Sequence, residues 1–105
     1  MPKGYVILTE NIHDQALMDK YSAASAAAVV ESRAKILSVE TSPRVLEGEW
    51  SCTRTVLLEF ESVDAAQAWY DSETYQNVVH MRHAASDCNL AILGGFDRPL
   101  LTPPK

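Results

Sequence analysis

The segment GYVILTE, Gly4 to Glu10, is the strongest constraint on what this chain can fold into. Side chains alternate across a strand, so Val6 and Leu8 share one face and Tyr5 and Ile7 share the other. Both faces are apolar, and a strand of that kind is covered on both sides. The chain supplies one cover itself. Asp14 is placed to cap a helix, and QALMDKYSAASAAAVVESR contains neither Gly nor Pro to interrupt it. Leu17, Tyr21, Ala24 and Ala28 recur on one side of that helix, flanked by Met18 and Ser25. The small residues among them suit close approach to a sheet.

Further strands are predicted at Ala34–Glu40, Thr53–Glu61 and Cys88–Phe96. In the third of the four strands Val56, Leu58 and Phe60 form one face, with Leu57 and Glu59 on the other. Pro43 and Gly48 mark a turn-bearing connection in which RVLEG can add a short strand. Ser62 caps a second helical region. Its run DSETYQ reads as a break, with a new helical piece starting at Ser72. LGGF, at the end of the last strand, reads as a bulge or strand exit. The tail DRPLLTPPK, with three of the five prolines, reads as a surface arm. The expected organisation is a single domain over 1–97 and a C-terminal tail over 98–105.

YVILTE, helix, AKILSVE matches TVLLEF, helix, CNLAILGG in pattern, so each half is strand–helix–strand. The order βαββαβ is that of an α+β, ferredoxin-like sandwich: an antiparallel four-stranded sheet with helices on one face. The other face, also apolar, needs its own cover. A second copy of the chain about a twofold axis is the simplest one, and two sheets meeting face to face would form a dimeric α/β barrel. The alternative is a first strand that is merely hydrophobic at a sheet edge.

The chain has 105 residues, a net charge of −5 and nine scattered basic residues. This argues against a nucleic-acid partner, whose phosphates need clustered Lys and Arg. No apolar run approaches the roughly 20 residues of a membrane-spanning helix. The N-terminal stretch lacks the features of a signal peptide, so a cytoplasmic location is expected. Cys52 and Cys88 form no CxxC pair and are read as free thiols.

Six segments occur in order: KGYVIL, VLEGEW (Val45–Trp50), RTVLLEFES (Arg54–Ser62), AAQAWYDSETYQ (Ala65–Gln76), RHAAS (Arg82–Ser86) and LAILGGFD (Leu90–Asp97). Together they resemble the bacterial family known as domain of unknown function 1330, over Lys3 to Asp97. The resemblance implies the dimeric α/β-barrel superfamily. Its other members include small monooxygenases, dehalogenating and decarboxylating enzymes, and stress-response proteins. It implies a fold and a dimer, and it implies no reaction. Ser51 and Cys52 stand where relatives often carry prolines after the Trp, which makes the hairpin after Trp50 more flexible.

Candidate chemistry is concentrated in AWYDSETYQNVVHMRH, Ala68 to His83. Trp69 and Tyr70 are adjacent on a helix and point about 100° apart, so either both anchor the core or one packs on the sheet and the other is free to line a cleft or subunit seam. Arg82 can clamp a carboxylate with its planar fork, or pair with Glu59, Glu61 or Asp87. Arg54 is expected to pair with Glu47 or Glu49. His80 and His83 share a helix face, but no acidic residue stands at the spacing of a third ligand, so no metal is expected. No GxSxG, GxGxxG or Walker pattern is present, and no cofactor is expected.

The expected pocket wall is Tyr5, Tyr21, Trp50, Trp69 and Tyr70, with Arg82 and His80 as polar groups. Such a pocket suits a small, partly apolar organic anion. Three readings follow. The first is a homodimeric small-molecule-binding protein. The second is a cofactor-free, monooxygenase-like enzyme. The third is a structural or interaction dimer without a ligand, the reading left if the cleft is filled by side chains.

Overall fold

The structure is a computed structural model and describes residues 2–96; the expected tail at 98–105 lies outside the described residues. The elements run β1 (Gly4–Ile12), α1 (Gln15–Ser32), β2 (Lys35–Glu40), β3 (Arg54–Phe60), α2 (Val63–Asp71), α3 (Glu73–Gln76), α4 (Val79–Ala85) and β4 (Ser86–Gly94). The strands form one sheet in the order β2-β3-β1-β4, with every neighbouring pair antiparallel. This is the ferredoxin-like α+β arrangement, with the second helical region divided into three pieces.

Local chemistry sets most of the boundaries. The Asp14 carboxylate accepts from the Leu17 amide to start α1. Arg33 ends it in the left-handed region, at φ 60°, and its amide donates to the carbonyls of Val29 and Val30. The Ser62 hydroxyl accepts from Ala65 N to start α2. Ser72 produces the break expected in DSETYQ. Its hydroxyl donates to Trp69 O at the end of α2 and accepts from Tyr75 N at the start of α3.

The helices cover the face of β1 that carries Gly4, Val6, Leu8 and Glu10, all buried. Leu58 and Phe60 of β3 continue that face and are also buried. α1 contributes Met18, Tyr21, Ser25 and Ala28, while Leu17 and Ala24 are half-buried. The inward stripe is therefore rotated from the expected one, toward Ser25 and Met18. Trp69 and Tyr75 complete the core at 4% and 0% exposure. Side chains of this size each stabilise the fold by about 1.5–3 kcal/mol through burial.

Strand bounds differ from the sequence reading by one or two residues, and one expected short strand is absent. β4 begins at Ser86, two residues early, because its pairing with β1 continues to Ile12↔Ser86. RVLEG forms no strand: residues 41–53 are irregular, with Gly48 at φ 72°. β2 is left as an edge strand paired only to β3, and all six of its residues are exposed.

No helix covers the opposite face of the sheet among the described residues. Ile7 stands across from Leu57 on one side and Ala91 on the other, and Tyr5 stands across from Leu93. Ile7, Tyr5 and Leu57 are half-buried, and Leu93 is 47% exposed. No helix among the described residues is long and apolar enough to cross a membrane.

Gly4 has a specific steric role. A Cβ there would collide with the Ser62 carbonyl and lie 2.7 Å from Val63 N, and both are backbone atoms at the turn into α2. Gly4→Ala is expected to destabilise the protein by about 1–3 kcal/mol, the cost of overpacking a tight contact. Gly94→Ala, whose Cβ would meet only the Val63 Cγ2 atom at 3.6 Å, is expected to be close to neutral. Urea midpoints at unchanged m-value measure the difference.

Candidate functional site

A cleft of about 430 Å³ lies between α1 and the β2–β3 half of the sheet. Val6 and Leu8 of β1, Val56 and Leu58 of β3, and Ile36 and Val39 of β2 line the sheet side. Ser22, Ser25, Ala26, Val29 and Val30 line the helix side. The helix residues explain why the space is open. Ser22, Ser25 and Ala26 are too short to reach the sheet, so the helix leaves a gap here.

Tyr21 and Trp69 also line the cleft, and so does Arg54. Trp69 packs on Phe60 with ring centroids 5.4 Å apart, and Phe60 stands opposite Gly4. Arg54 stands opposite Glu10 at the other end of the β1–β3 pair. Between Leu58 and Arg54 the strand advances roughly 13 Å, at about 3.3 Å per residue. The cleft thus has an aromatic end, an aliphatic middle and a charged end.

The charged end is a buried ion pair. Arg54 Nε donates to Glu10 Oε1 at 2.7 Å, with side-chain exposures of 16% and 0%. The second carboxylate oxygen, Glu10 Oε2, is buried without a hydrogen-bond partner among the described residues. At the aromatic end the Trp69 Nε1–H donor is in the same condition. Buried polar atoms nearly always have partners, so two orphans on residues at or beside one cleft are unusual.

Behind the aromatic end runs a buried polar chain. Arg82, 2% exposed, donates from Nε to the Tyr75 hydroxyl at 3.2 Å and from a terminal nitrogen to Cys88 Sγ at 2.9 Å. The Tyr75 and Tyr21 hydroxyls are 2.6 Å apart. The Arg82 guanidinium also lies 6.0 Å from the centroid of the Tyr21 ring. Burial, then the neighbouring Tyr75, push the Tyr21 phenol far above its usual range, and Arg82 offsets this only in part. Burial pulls the Arg82 guanidinium down, but Tyr75, Tyr21 and Cys88 outweigh it and the net shift is upward. Tyr21 is therefore a neutral phenol and Arg82 a permanent cation.

The seven residues expected to form one wall occupy separate places. Tyr21 and Trp69 line the cleft. Tyr5 is on the opposite sheet face. Trp50 is 49% exposed in the irregular connection, where its Nε1 donates to Thr55 Oγ1 at 2.9 Å. Tyr70 packs against Trp69 and Tyr75 and borders a shallow depression with Gln67, Leu90 and Ile92. His80 is exposed on α4, and so is His83. Arg82 is buried against Tyr75 and Cys88 and pairs with none of Glu59, Glu61 or Asp87. Arg54 pairs with Glu10, not with Glu47 or Glu49.

Glu10 was legible in the alternation. It follows Val6 and Leu8 on the core-facing set of β1, where a carboxylate is out of place. The aliphatic lining of α1 had no comparable signal, because Ala and Val fit any apolar packing. Among the described residues, no three His, Cys, Asp or Glu side chains come together to hold a metal ion.

Tyr21 generates a pH prediction. A phenol whose folded pKa is raised stabilises the fold fully below its unfolded value near 10, and that stabilisation is lost as pH rises beyond it. The melting temperature of the protein is expected to fall above about pH 10, and to fall less steeply in Tyr21→Phe. Arg82→Ala is expected to lower stability by about 2–4 kcal/mol in denaturant titrations, because it removes the buried hydrogen bonds to the Tyr75 hydroxyl and Cys88 and leaves a cavity.

Known proteins with this architecture come from several bacteria. A protein of unknown function from Rhodopseudomonas palustris is 15% identical with a TM-score of 0.76, over 92% of this chain and 85% of that chain. SnoaB, a cofactor-independent oxygenase from Streptomyces nogalater, is 13% identical with a TM-score of 0.65, over 98% of this chain and 100% of its own. A dimeric protein of unknown function and ferredoxin-like fold from Bacteroides fragilis is 12% identical with a TM-score of 0.59, over 88% and 95%. At these identities the likeness is one of fold. No curated protein matches the sequence. The family profile of domain of unknown function 1330 matches residues 3–96, and the chain belongs to that family.

Proposed function

We propose that this chain is a cytoplasmic homodimer that binds a small, largely apolar organic molecule between α1 and the β2–β3 half of the sheet. The single observation that carries the reading is the cleft itself. It is about 430 Å³, within the usual range of ligand sites, and its lining is aliphatic and aromatic with polar groups at the ends. A cleft filled by side chains would have left only the structural reading, and this one is open.

The dimer is supported by the uncovered sheet face. Tyr5, Ile7, Leu57 and Leu93 form an apolar patch on the side away from the helices, and a contiguous patch of that kind marks an interaction surface. The Bacteroides fragilis neighbour of the same fold is dimeric. Two sheets joined through this face would produce the α/β barrel, leaving the cleft of each subunit on its outer side.

The second reading is an enzyme resembling the cofactor-independent oxygenase among its structural neighbours. The open cleft, with Tyr21 and Trp69 in its lining, favours it by offering room for a small aromatic substrate. Oxygen uptake with phenolic compounds in the absence of added cofactor separates this reading from simple binding.

Native mass spectrometry of the freshly purified protein tests the main reading. The expected species is twice 11.6 kDa with a discrete additional mass. Leu57→Lys is expected to give a folded monomer, since a charge placed on each copy would be buried against its twin. Ala26→Trp, at an exposed position on the rim of the cleft, is expected to weaken binding of 2-naphthol at least about tenfold with little change in melting temperature. Unchanged affinity in Ala26→Trp would remove the cleft as the binding site.

A further inference from the structure

Resting on the cleft reading, we infer that Arg54 is the specificity-determining residue of this site. The terminal nitrogens of its guanidinium select an apolar ligand that ends in an uncharged acceptor oxygen, such as a ketone carbonyl. They select it over a hydrocarbon of the same shape and over an organic anion.

The argument begins with which polar groups a ligand in the cleft can reach. The Tyr21 hydroxyl in the lining is held by Tyr75, and the Ser25 hydroxyl donates to the Ser22 carbonyl. Trp69 Nε1 is sealed from the surface. That leaves Ser22, exposed on α1, and Arg54, the one charged residue of the lining among the described residues.

Arg54 is tied down through a single nitrogen. Its Nε donates to Glu10 Oε1 at 2.7 Å. Glu10 Oε2 has no hydrogen-bond partner, so the pair is not the two-pronged contact arginine often makes with a carboxylate. No other acceptor among the described residues takes the terminal nitrogens. Nor are they sealed in. The unpaired side-chain nitrogens and oxygens that are fully buried among the described residues are Trp69 Nε1 and Glu10 Oε2. The Arg54 side chain keeps 16% exposure. The Nε contact therefore fixes a planar group whose free N–H donors stand at accessible surface in the cleft wall.

A guanidinium has donors and no acceptor, so a ligand pairs with it only by presenting an acceptor. In water these donors are hydrated. A carbonyl oxygen at the Arg54 end replaces that water. A hydrocarbon strips it and returns nothing, and a site of this kind discriminates against such an analogue far more than by size. Charge then separates the carbonyl from an anion. The Glu10 carboxylate already neutralises Arg54, and Arg82, the cation expected to clamp an anion, is buried behind the cleft against Tyr75 and Cys88. A carboxylate ligand would give up its hydration to meet a pair with no surplus positive charge.

Arg54→Lys isolates the terminal nitrogens. The ammonium keeps a cation for Glu10, but it is a single point charge and has no second prong to offer the cleft. The variant should keep its apolar affinity and lose the preference for a carbonyl.

The experiment is calorimetric titration at neutral pH of the full chain with three matched probes: 2-acetylnaphthalene, 2-isopropenylnaphthalene and 2-naphthoate. Wild type is expected to bind the ketone at least about tenfold more tightly than the hydrocarbon or the carboxylate, and Arg54→Lys to bind ketone and hydrocarbon within about twofold of each other. Equal binding of ketone and hydrocarbon by wild type overturns the inference while leaving the cleft as a site. So does a ketone preference that survives in Arg54→Lys. Binding of 2-naphthoate as tight as the ketone or tighter overturns it in favour of an anion site. Failure of all three to bind overturns the cleft reading itself, and this inference with it. If Arg54→Lys does not fold, the infrared carbonyl band of 2-acetylnaphthalene bound to wild type serves instead. It must lie below its position in hexane, as a hydrogen-bonded carbonyl does; an unshifted band overturns the inference.

Discussion

The buried contact between Tyr21 and Tyr75 fixes the relation between α1 and the remaining helices. The two hydroxyls are 2.6 Å apart, and Tyr75 also accepts from Arg82 on α4 and stacks on Trp69 of α2 with ring centroids 4.3 Å apart. One residue on the short α3 therefore ties together α1, α2 and α4. Low dielectric strengthens such a chain of bonds and makes each member costly to lose. With α1 held toward the other helices, and the short Ser22, Ser25 and Ala26 among the residues facing β2 and β3, the space over that half of the sheet stays open. The cleft is a consequence of where the helix is anchored and of which side chains it lacks.

The sheet separates two roles by residue parity. The even positions of β1 build the core and reach the cleft, ending in the buried Glu10. The odd positions, with Leu57 and Leu93, form the uncovered face. A one-residue change of register would exchange the two sets, so the same alternation that makes the core also defines the uncovered face. In the proposed arrangement assembly and ligand binding would use opposite faces of one strand.

The fold was legible because its signals are local and periodic. Asp14, Ser62 and Ser72 were each readable as caps, and each side chain makes its capping bond. The halves of the strand–helix–strand pattern gave the strand order once the split βαβ topology was recognised. The site was less legible for a different reason. Large aromatic and charged residues draw attention wherever they stand, yet Trp50 lies exposed in a connection, His80 faces solvent and Tyr5 belongs to the other face. The residues that shape the cleft are mostly small or aliphatic, and a short side chain gives no indication of whether it packs tightly or leaves a void. Arg54 shows the same limit for charge. Its near neighbours Glu47 and Glu49 were the obvious partners, but strand pairing brings it to Glu10, 44 residues away in sequence.

By itself, then, the sequence determined the elements, their order, the two-faced sheet and the family, because caps, alternation and helical spacing depend on neighbours in the chain. Only the tertiary structure decided which polar groups meet and which remain unpaired. The Arg54–Glu10 pair, the Arg82–Tyr75–Tyr21 chain and the orphaned atoms of Glu10 and Trp69 arise from contacts between elements far apart in sequence. Their chemistry depends on burial and mutual distance, and neither is a property of any single stretch of residues.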